Sequence, residues 1–181
     1  MADITGCILI DARSAGSRLP RQLAIVAPLA RAESFSLAII DDTGDARLPR
    51  MAHRYGARLL SVLPAPLGQR INDAIAHSHG PVLIFPGIGN VSSAETLSLL
   101  AAEVAAGRVD VALLPTLQRG PLWRLLAWLR LSRLPRGEGL CLSRAWFERI
   151  GGCDPELDDA ALDELLERLR ACGARTRPTD A

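Results

Sequence analysis

The residues best suited to chemistry in this sequence are carboxylates and arginines that directly follow short apolar runs. Asp41 and Asp42 end the run 34–42 (SFSLAIIDD) and lead into a Thr-Gly-Asp segment at 43–45. A carboxylate in this position could accept hydrogen bonds from a base or a ribose. An Asp-Thr-Gly sequence also forms turns in which the side chain caps the next backbone segment, and the sequence leaves both interpretations open.

A second polar segment follows the first apolar run, Gly6–Asp11 (GCILID). It places two arginines among small residues and could cradle a diphosphate. Its members are Asp11, Arg13, Ser14, Gly16, Ser17 and Arg18. The alternative is a solvated loop whose arginines pair with nearby carboxylates. A third polar segment, Gln69–Asn72, adds Arg70 and Asn72 as candidate nucleotide contacts.

The turn after the run Pro81–Phe85 (PVLIF) contains no acidic residue. Gly87, Gly89 and Asn90 are predicted to form a diphosphate loop there, although the third glycine of a dinucleotide fingerprint is missing. A hard divalent cation prefers carboxylate ligands. We therefore expect no cofactor, and neither Mn²⁺ nor Mg²⁺, at this turn.

The composition argues against several classes of protein. The chain has 181 residues, 49% of them hydrophobic, and a formal net charge of +1, which favours one globular domain and no nucleic-acid partner. All 21 basic residues are arginine, so no lysine can clamp a phosphate. The four cysteines are far apart, and we find no signal peptide and no nucleophile elbow, which favours a cytoplasmic protein with free thiols.

Apolar runs alternate with segments of helical periodicity along the chain. Strands are expected at 6–11, 34–42, 57–63, 81–85, 109–114 and 139–143, and helices at 20–31, 50–55, 68–79, 93–106, 121–134, 145–150 and 158–171. This alternation predicts a single three-layer α/β domain over 1–173, with a mostly parallel sheet covered by helices on both faces, and a flexible tail at 174–181. Ligands of such sheets bind beyond the carboxyl ends of the strands, where the polar segments lie.

The predicted helix 121–134 carries two tryptophans, Trp123 and Trp128, beside three arginines. A basic, aromatic helix can lie on an anionic membrane surface, here the inner face of the membrane. The arginines are spread around the helix instead of sharing one face. A buried helix, or one that contacts a protein partner or a second copy of the chain, is therefore the alternative.

About two thirds of the chain resembles the bacterial family 2 type glycosyltransferases, which have the GT-A fold. The resemblance rests on Ile39–Asp45, Gly68–Ala74, the strand Pro81–Phe85, and Gly137–Leu140 leading to Arg144–Gly152. The last segment is the most specific, because a Phe and then two glycines precede an acidic helix. The resemblance implies a nucleotide-diphospho-sugar transferase fold that binds a nucleotide or nucleotide sugar.

The chain departs from that family where the family holds its metal. The family has an Asp-x-Asp or similar motif after the strand that matches Pro81–Phe85, and this chain has no acidic residue at 86–90. The resemblance places the family's base near residues 161–162, with Asp158, Asp159, Asp163 and Glu164 close by. Of these, Asp158 and Asp159 are the candidate catalytic residues. Both the metal clamp and the base are thus altered relative to the family.

Three functions fit these residues. The first is a glycosyltransferase-like protein whose transfer is weakened, metal-independent or lost, with Arg18, Arg70 or Arg136 neutralising the leaving diphosphate. The second is a non-catalytic binding or subunit-interaction module. The third is a sugar nucleotidyltransferase-like domain that binds a nucleoside triphosphate through the Ser14–Arg18 loop.

Overall fold

Short apolar segments pair into one sheet in the computed structural model, which describes residues 5–32, 34–87, 93–114 and 139–177. Within these residues the strands are β1 (Thr5–Asp11), β2 (Ser34–Asp41), β3 (Arg58–Ser61), β4 (Val82–Phe85), β5 (Val111–Leu114), β6 (Gly139–Ser143) and β7 (Thr176–Arg177). Their order across the sheet is β3-β2-β1-β4-β6-β5-β7. The order reverses between β1 and β4, because the chain builds outward from β1 to β3 and then returns to the other side of β1.

The sheet is mostly parallel, as the alternation of strands and helices predicts. β1 pairs in parallel with both β2 and β4, β2 with β3, and β5 with β7. Strand β6 runs antiparallel to its two neighbours, β4 and β5. The central strands are continuous apolar runs because helices bury them on both faces.

Helices cover both faces of the sheet, which confirms the predicted three-layer α/β domain. The described helices are α1 (Ala12–Ala15), α2 (Leu19–Ala32), α3 (Leu48–Tyr55), α4 (Leu67–Ala76), α5 (Ala94–Ala105), α6 (Arg144–Arg149) and α7 (Ala161–Ala171), with a 3-10 turn at Gly16–Arg18. α2, α3 and α5 pack on the face to which Ile8 and Ile10 point. α4, α6 and α7 pack on the face to which Cys7 and Leu9 point.

Residues 176–177, which the sequence predicts to lie in a flexible tail, form the last strand of the sheet. Thr176 and Arg177 pair in parallel with Val111 and Ala112 of β5. Arg175, just before them, donates from its backbone N–H (2.8 Å) and from its guanidinium (2.8 and 3.0 Å) to the Asp110 carboxylate. These bonds hold residues 175–177 against the edge of β5.

The predicted helix 121–134 lies outside the described residues, so its proposed membrane or protein contact stays a prediction. Across the part of the chain that the structure describes, no helix combines the length and the apolar character needed to cross a bilayer.

We predict that Asp110→Asn loosens the β5–β7 edge. The hydrogen bonds from the Arg175 side chain hold the pKa of Asp110 below its ordinary value. A carboxyl group with a lowered folded-state pKa contributes stability above its unfolded pKa of about 3.9, and that contribution is lost as the pH falls through the folded-state pKa. The variant should therefore melt a few degrees below wild type at neutral pH, with the gap closing in acid.

The measurement is the melting temperature across the pH range, with amide hydrogen exchange at residues 176–177. Glu156→Gln is the control, because it removes an exposed carboxylate that forms no described ion pair. If the difference in melting temperature between Asp110→Asn and wild type were as large at about pH 3 as at neutral pH, the prediction would be contradicted.

Candidate functional site

The carboxyl ends of β1 and β2 bring the predicted acidic residues together at the point where the sheet order reverses. Asp11 ends β1 and Asp41 ends β2, and these parallel strands pair with Asp11 beside Ile40. Asp42 follows directly. Three carboxylates therefore lie at one edge of the sheet, where open α/β sheets bind their ligands.

Arg70 is the cation at the centre of this edge. Its side chain is fully buried and reaches from α4 to Asp11, with Nε 2.9 Å from Oδ1 and Nη2 2.9 Å from Oδ2. Its Nη1 donates to the backbone carbonyl of Ala65 and lies 3.3 Å from Oδ2 of Asp42. Burial by itself lowers the pKa of Arg70. The hydrogen bonds to Asp11 and the charge of Asp42 outweigh the effect of burial, so the pKa of Arg70 lies above its usual value.

Arg13 completes a four-residue cluster with Asp42, Arg70 and Asp11, which we call the edge cluster. Its Nε donates to Oδ1 of Asp42 at 3.1 Å, and its Nη2 lies 2.7 Å from Oδ2. Oδ2 of Asp42 lies near both guanidinium groups, but no described N–H donates a hydrogen bond to it. Its interactions with Arg13 and Arg70 are therefore ion pairs without a hydrogen bond. Two arginines and two carboxylates make the edge cluster formally neutral.

The exposure of the two arginines separates their roles. The Arg13 side chain is 48% exposed and the Arg70 side chain 0%. Arg13 can meet a ligand while it stays near Asp42, whereas Arg70 is enclosed by protein. Arg18, the other arginine of this segment, is exposed in the 3-10 turn.

Local hydrogen bonds stabilise the helical turn that follows β1. Asp11 is the N-cap of α1, and its Oδ2 accepts from the backbone N–H (2.8 Å) and the hydroxyl (2.7 Å) of Ser14. Gly16 then takes a φ of 51°, which lets the chain pass from α1 into the 3-10 turn. The predicted phosphate loop is thus a capped helical turn, and Ser14 is bonded to Asp11.

Asp41 caps a turn in the way that the alternative interpretation of its sequence describes. Its Oδ1 accepts from the backbone N–H (2.8 Å) and the hydroxyl (2.8 Å) of Thr43, and from the N–H of Gly44 (3.1 Å). Gly44 has a φ of 65°, which suits glycine in such a turn. The bonds engage Oδ1 of Asp41 within the protein.

Asn72 ties α4 to the segment after α6 and lies apart from the edge cluster's ion pairs. Its Nδ2 donates to the carbonyl of Cys153 at 2.8 Å, and its Oδ1 accepts from the Cys153 N–H at 2.9 Å. At Gly152, where φ is 78°, a Cβ would come 2.6 Å from that Oδ1. The absence of a side chain at Gly152 therefore allows Asn72 to approach the backbone closely.

The two candidate catalytic residues differ in their contacts. Asp158 is exposed, but its Oδ1 accepts from the N–H of Leu67, the first residue of α4, at 3.0 Å, and lies 4.0 Å from Nη1 of Arg70. Asp159 is exposed, and its side chain makes no hydrogen bond or ion pair among the described residues. Asp158 is therefore the one that reaches the edge cluster.

Gln22 is a buried polar residue that sequence analysis did not single out. It is 3% exposed, its Nε2 donates to the carbonyl of Gly87 at 2.5 Å, and its Oε1 has no described partner. Together with Asp11 and Ser14 it supplies polar groups to an otherwise mostly apolar cavity of about 60 Å³ between β1, β4, α4 and α7. In the sequence, this role was indicated by a glutamine among the apolar residues of the predicted helix 20–31.

The described residues offer no ready site for a divalent metal. Nowhere in the described ranges do three His, Cys, Asp or Glu side chains gather as a metal site would require. After β4, Pro86 and Gly87 supply no acidic side chain. Gly89 and Asn90 of the predicted diphosphate loop, and Arg136, lie outside the described residues, so their predicted roles stay predictions.

Comparison with solved structures shows a GT-A-type fold. The structure of glucosyl-3-phosphoglycerate synthase from Mycobacterium tuberculosis, in complex with Mn²⁺, UDP and glucosyl-3-phosphoglycerate, superposes with a TM-score of 0.70 at 17% identity, over 98% of this chain and 70% of that one. A mannosyltransferase from Pyrobaculum calidifontis, in complex with GDP-Man and Mn²⁺, gives 0.67 at 15% identity, over 96% and 55%. No protein-family model and no curated protein sequence matches the chain.

We predict that Arg70→Met strongly destabilises the protein. The substitution leaves Asp11 and Asp42 buried at the edge of the sheet with one half-exposed cation, and removing one partner of a buried ion pair costs about 3–5 kcal/mol. Urea unfolding measures the free-energy change. Adding Asp11→Asn and Asp42→Asn to this variant should recover part of the loss, because both uncompensated charges disappear.

Arg47→Met is the matched control for the removal of an ion-paired arginine. Arg47 pairs with Asp45 at the surface, where its side chain is 84% exposed, and such pairs contribute little. If Arg70→Met unfolded at the same urea concentration as Arg47→Met, the edge cluster would not have the structural role assigned to it.

Proposed function

We propose that the chain binds a nucleoside diphosphate or nucleotide sugar beyond the carboxyl ends of β1 and β2, as a glycosyltransferase-like protein whose transfer is weak, metal-independent or lost. The observation that carries the proposal is the edge cluster, in which two buried carboxylates and two arginines meet at the ligand-binding edge of a GT-A-type sheet.

A groove beside the edge cluster has room for such a ligand. It encloses about 570 Å³, within the range of about 300–1,000 Å³ that is usual for ligand sites. Its walls are the segment after β1 and the segment after β2, and its lining includes Arg13, Gly16, Ser17, Thr43 and Asp45. Arg47 also lines it, so the groove combines two cations, hydroxyls and a carboxylate with apolar surface.

Charge balance supports the binding of an anion at this place. Bare carboxylates at the sheet edge would repel a diphosphate, but Arg70 neutralises Asp11 and shares Asp42 with Arg13. The half-exposed guanidinium of Arg13 then offers N–H donors to a phosphate oxygen, in the planar geometry that suits phosphate. In this proposal Arg13 contacts the diphosphate and Arg70 holds the carboxylates in place.

The solved structures with this fold support a nucleotide-sugar ligand class. One holds UDP and another holds GDP-Man, in each case with Mn²⁺. In this chain the stretch 85–90 contains no carboxylate. We therefore propose that the nucleotide binds here without a required metal, and that arginines supply the positive charge.

A non-catalytic binding or subunit-interaction module is the second candidate, and a specific observation favours it. At least one carboxylate oxygen of each of Asp11, Asp41 and Asp42 accepts a hydrogen bond from the protein, and Asp158 accepts from the start of α4. Acidic groups that serve the fold are less available to a substrate. The nucleotidyltransferase-like hypothesis has less support, because Ser14 of its phosphate loop donates to Asp11.

We predict saturable binding of at least one of UDP, GDP, CDP or their sugars in calorimetric titration, with the same affinity when Mn²⁺ is added. Arg13→Gln should weaken that binding by about tenfold or more, because it removes a charge-assisted hydrogen bond to the phosphate. Arg31→Gln, at an exposed arginine in the last turn of α2, is the control and should bind like wild type. Equal affinities in both variants would remove Arg13 from the site, and no binding of any nucleotide would favour the second candidate.

For catalysis, we predict that Asp158→Asn and Asp159→Asn differ in donor turnover. Asp158 lies beside the edge cluster, and the loss of a general base typically costs about 100-fold or more in rate. Asn keeps an oxygen that can accept from the Leu67 N–H, so Asp158→Asn should fold like wild type. Asp159→Asn is the paired control and should turn over normally. Equal turnover in the two variants would exclude Asp158 as the base, and a wild type without any turnover would favour the non-catalytic module.

A further inference from the structure

We propose that a second groove, which runs along α3, binds the phosphoryl group of a phosphorylated ligand. We call it the α3 groove. Its lining consists of Pro20, Ala46, Arg47, Arg50, Met51, Arg54 and Tyr55, and it encloses about 560 Å³. Pro20, Arg47 and Met51 also line the groove beside the edge cluster, so the two grooves adjoin. The proposal rests on Arg50 and Arg54, which do not line that groove, and it does not depend on nucleotide binding.

The three arginines of the α3 groove lie on one side of the helix. Arg47 precedes α3, and Arg50 and Arg54 follow at intervals of three and four residues, which is the spacing that aligns side chains along one face. Like charges at this spacing repel one another and destabilise a helix. An anion held between them would relieve that repulsion.

The charges of two of these arginines are not balanced by the described part of the protein. Arg47 forms a bidentate pair with Asp45, in which Nε donates to Oδ1 at 3.0 Å and Nη2 donates to Oδ2 at 2.6 Å. No described carboxylate pairs with Arg50 or Arg54, and both side chains are exposed. The α3 groove therefore has an excess of two positive charges.

Two of the guanidinium groups are already held in place. Arg54 lies over the ring of Tyr55, 5.7 Å from its centroid, in a cation–π contact that leaves the N–H groups at the rim of the guanidinium free to donate. The pair with Asp45 restrains Arg47 in the same way. Arginines that are ordered before binding lose less conformational freedom when they bind an anion.

The floor of the α3 groove is apolar and aromatic. Met51 and Tyr55 are half-buried, and Pro20 closes the groove from the start of α2. A phosphoryl group can meet Arg50 and Arg54 while the organic part of the same ligand lies on this floor. The ligand class is thus a phosphate monoester or diphosphate, from either a soluble metabolite or a lipid headgroup.

The experiment uses the full chain and two probes. Inorganic pyrophosphate is titrated calorimetrically to test the soluble source, and phosphatidylcholine vesicles with and without phosphatidic acid are used in co-sedimentation to test the lipid source. The wild type should bind pyrophosphate, or vesicles that contain phosphatidic acid, or both. The double variant Arg50→Gln/Arg54→Gln should weaken that binding by about tenfold or more.

Controls separate this site from non-specific charge and from the nucleotide site. Arg31→Gln/Arg108→Gln removes two exposed arginines elsewhere and should bind as wild type does. Because pyrophosphate can also bind at Arg13, the comparison is repeated in the Arg13→Gln background, where adding Arg50→Gln/Arg54→Gln should weaken the remaining binding by about tenfold or more. Arg50→Lys/Arg54→Lys keeps the charge without the planar guanidinium and should bind at an intermediate level. Melting temperatures check that every variant is folded.

Two results would overturn the proposal. One is a wild type that binds neither pyrophosphate nor vesicles with phosphatidic acid. The other is equal weakening in Arg50→Gln/Arg54→Gln and in Arg31→Gln/Arg108→Gln, which would show dependence on net charge alone. If Arg13→Gln loses nucleotide binding but keeps pyrophosphate binding, the α3 groove is supported. The lost nucleotide binding then concerns the nucleotide site only.

Discussion

The guanidinium of Arg70 is the group on which the carboxyl edge of the sheet depends. It is fully buried, and removing a cation from water costs several kcal/mol unless carboxylates and carbonyls surround it. Asp11 from β1, Asp42 after β2 and the carbonyl of Ala65 before α4 provide those partners. One side chain therefore fixes three segments of the chain relative to one another, and two of them wall the groove beside the edge cluster.

The same arrangement determines which groups remain for a ligand. Asp11 is shared between Arg70 and the cap of α1, and Asp41 is bonded within its own turn. In the proposed function, recognition of a nucleotide therefore comes mainly from donors that line the groove, because Arg47 engages both carboxylate oxygens of Asp45. A site of this kind suits a phosphate better than a metal, because its accessible charges are guanidinium groups.

Sequence patterns predicted the layers of the fold well and the partners of the site poorly. The apolar runs at β1, β2 and β4 identified the central strands because each is buried on both faces. β7 has two residues, too few for any periodicity, so its place in the sheet depended on the Asp110–Arg175 pair. Arg70 was a candidate by its position, but its pairing with Asp11, 59 residues away in sequence, required the fold.

Binding and stability are coupled through Asp42, because Arg13 and Arg70 share it. A ligand that draws Arg13 away breaks a contact in which the arginine is 48% exposed but the Asp42 carboxylate is fully buried, so Oδ1 of Asp42 loses its described hydrogen bond. Asp42 would still lie 3.3 Å from Arg70, so its charge stays compensated. Recruiting Arg13 therefore costs less than recruiting Arg70, which is fully buried and whose removal would open the fold. In the proposed function this division lets one carboxylate support the sheet edge while its second cation serves the ligand.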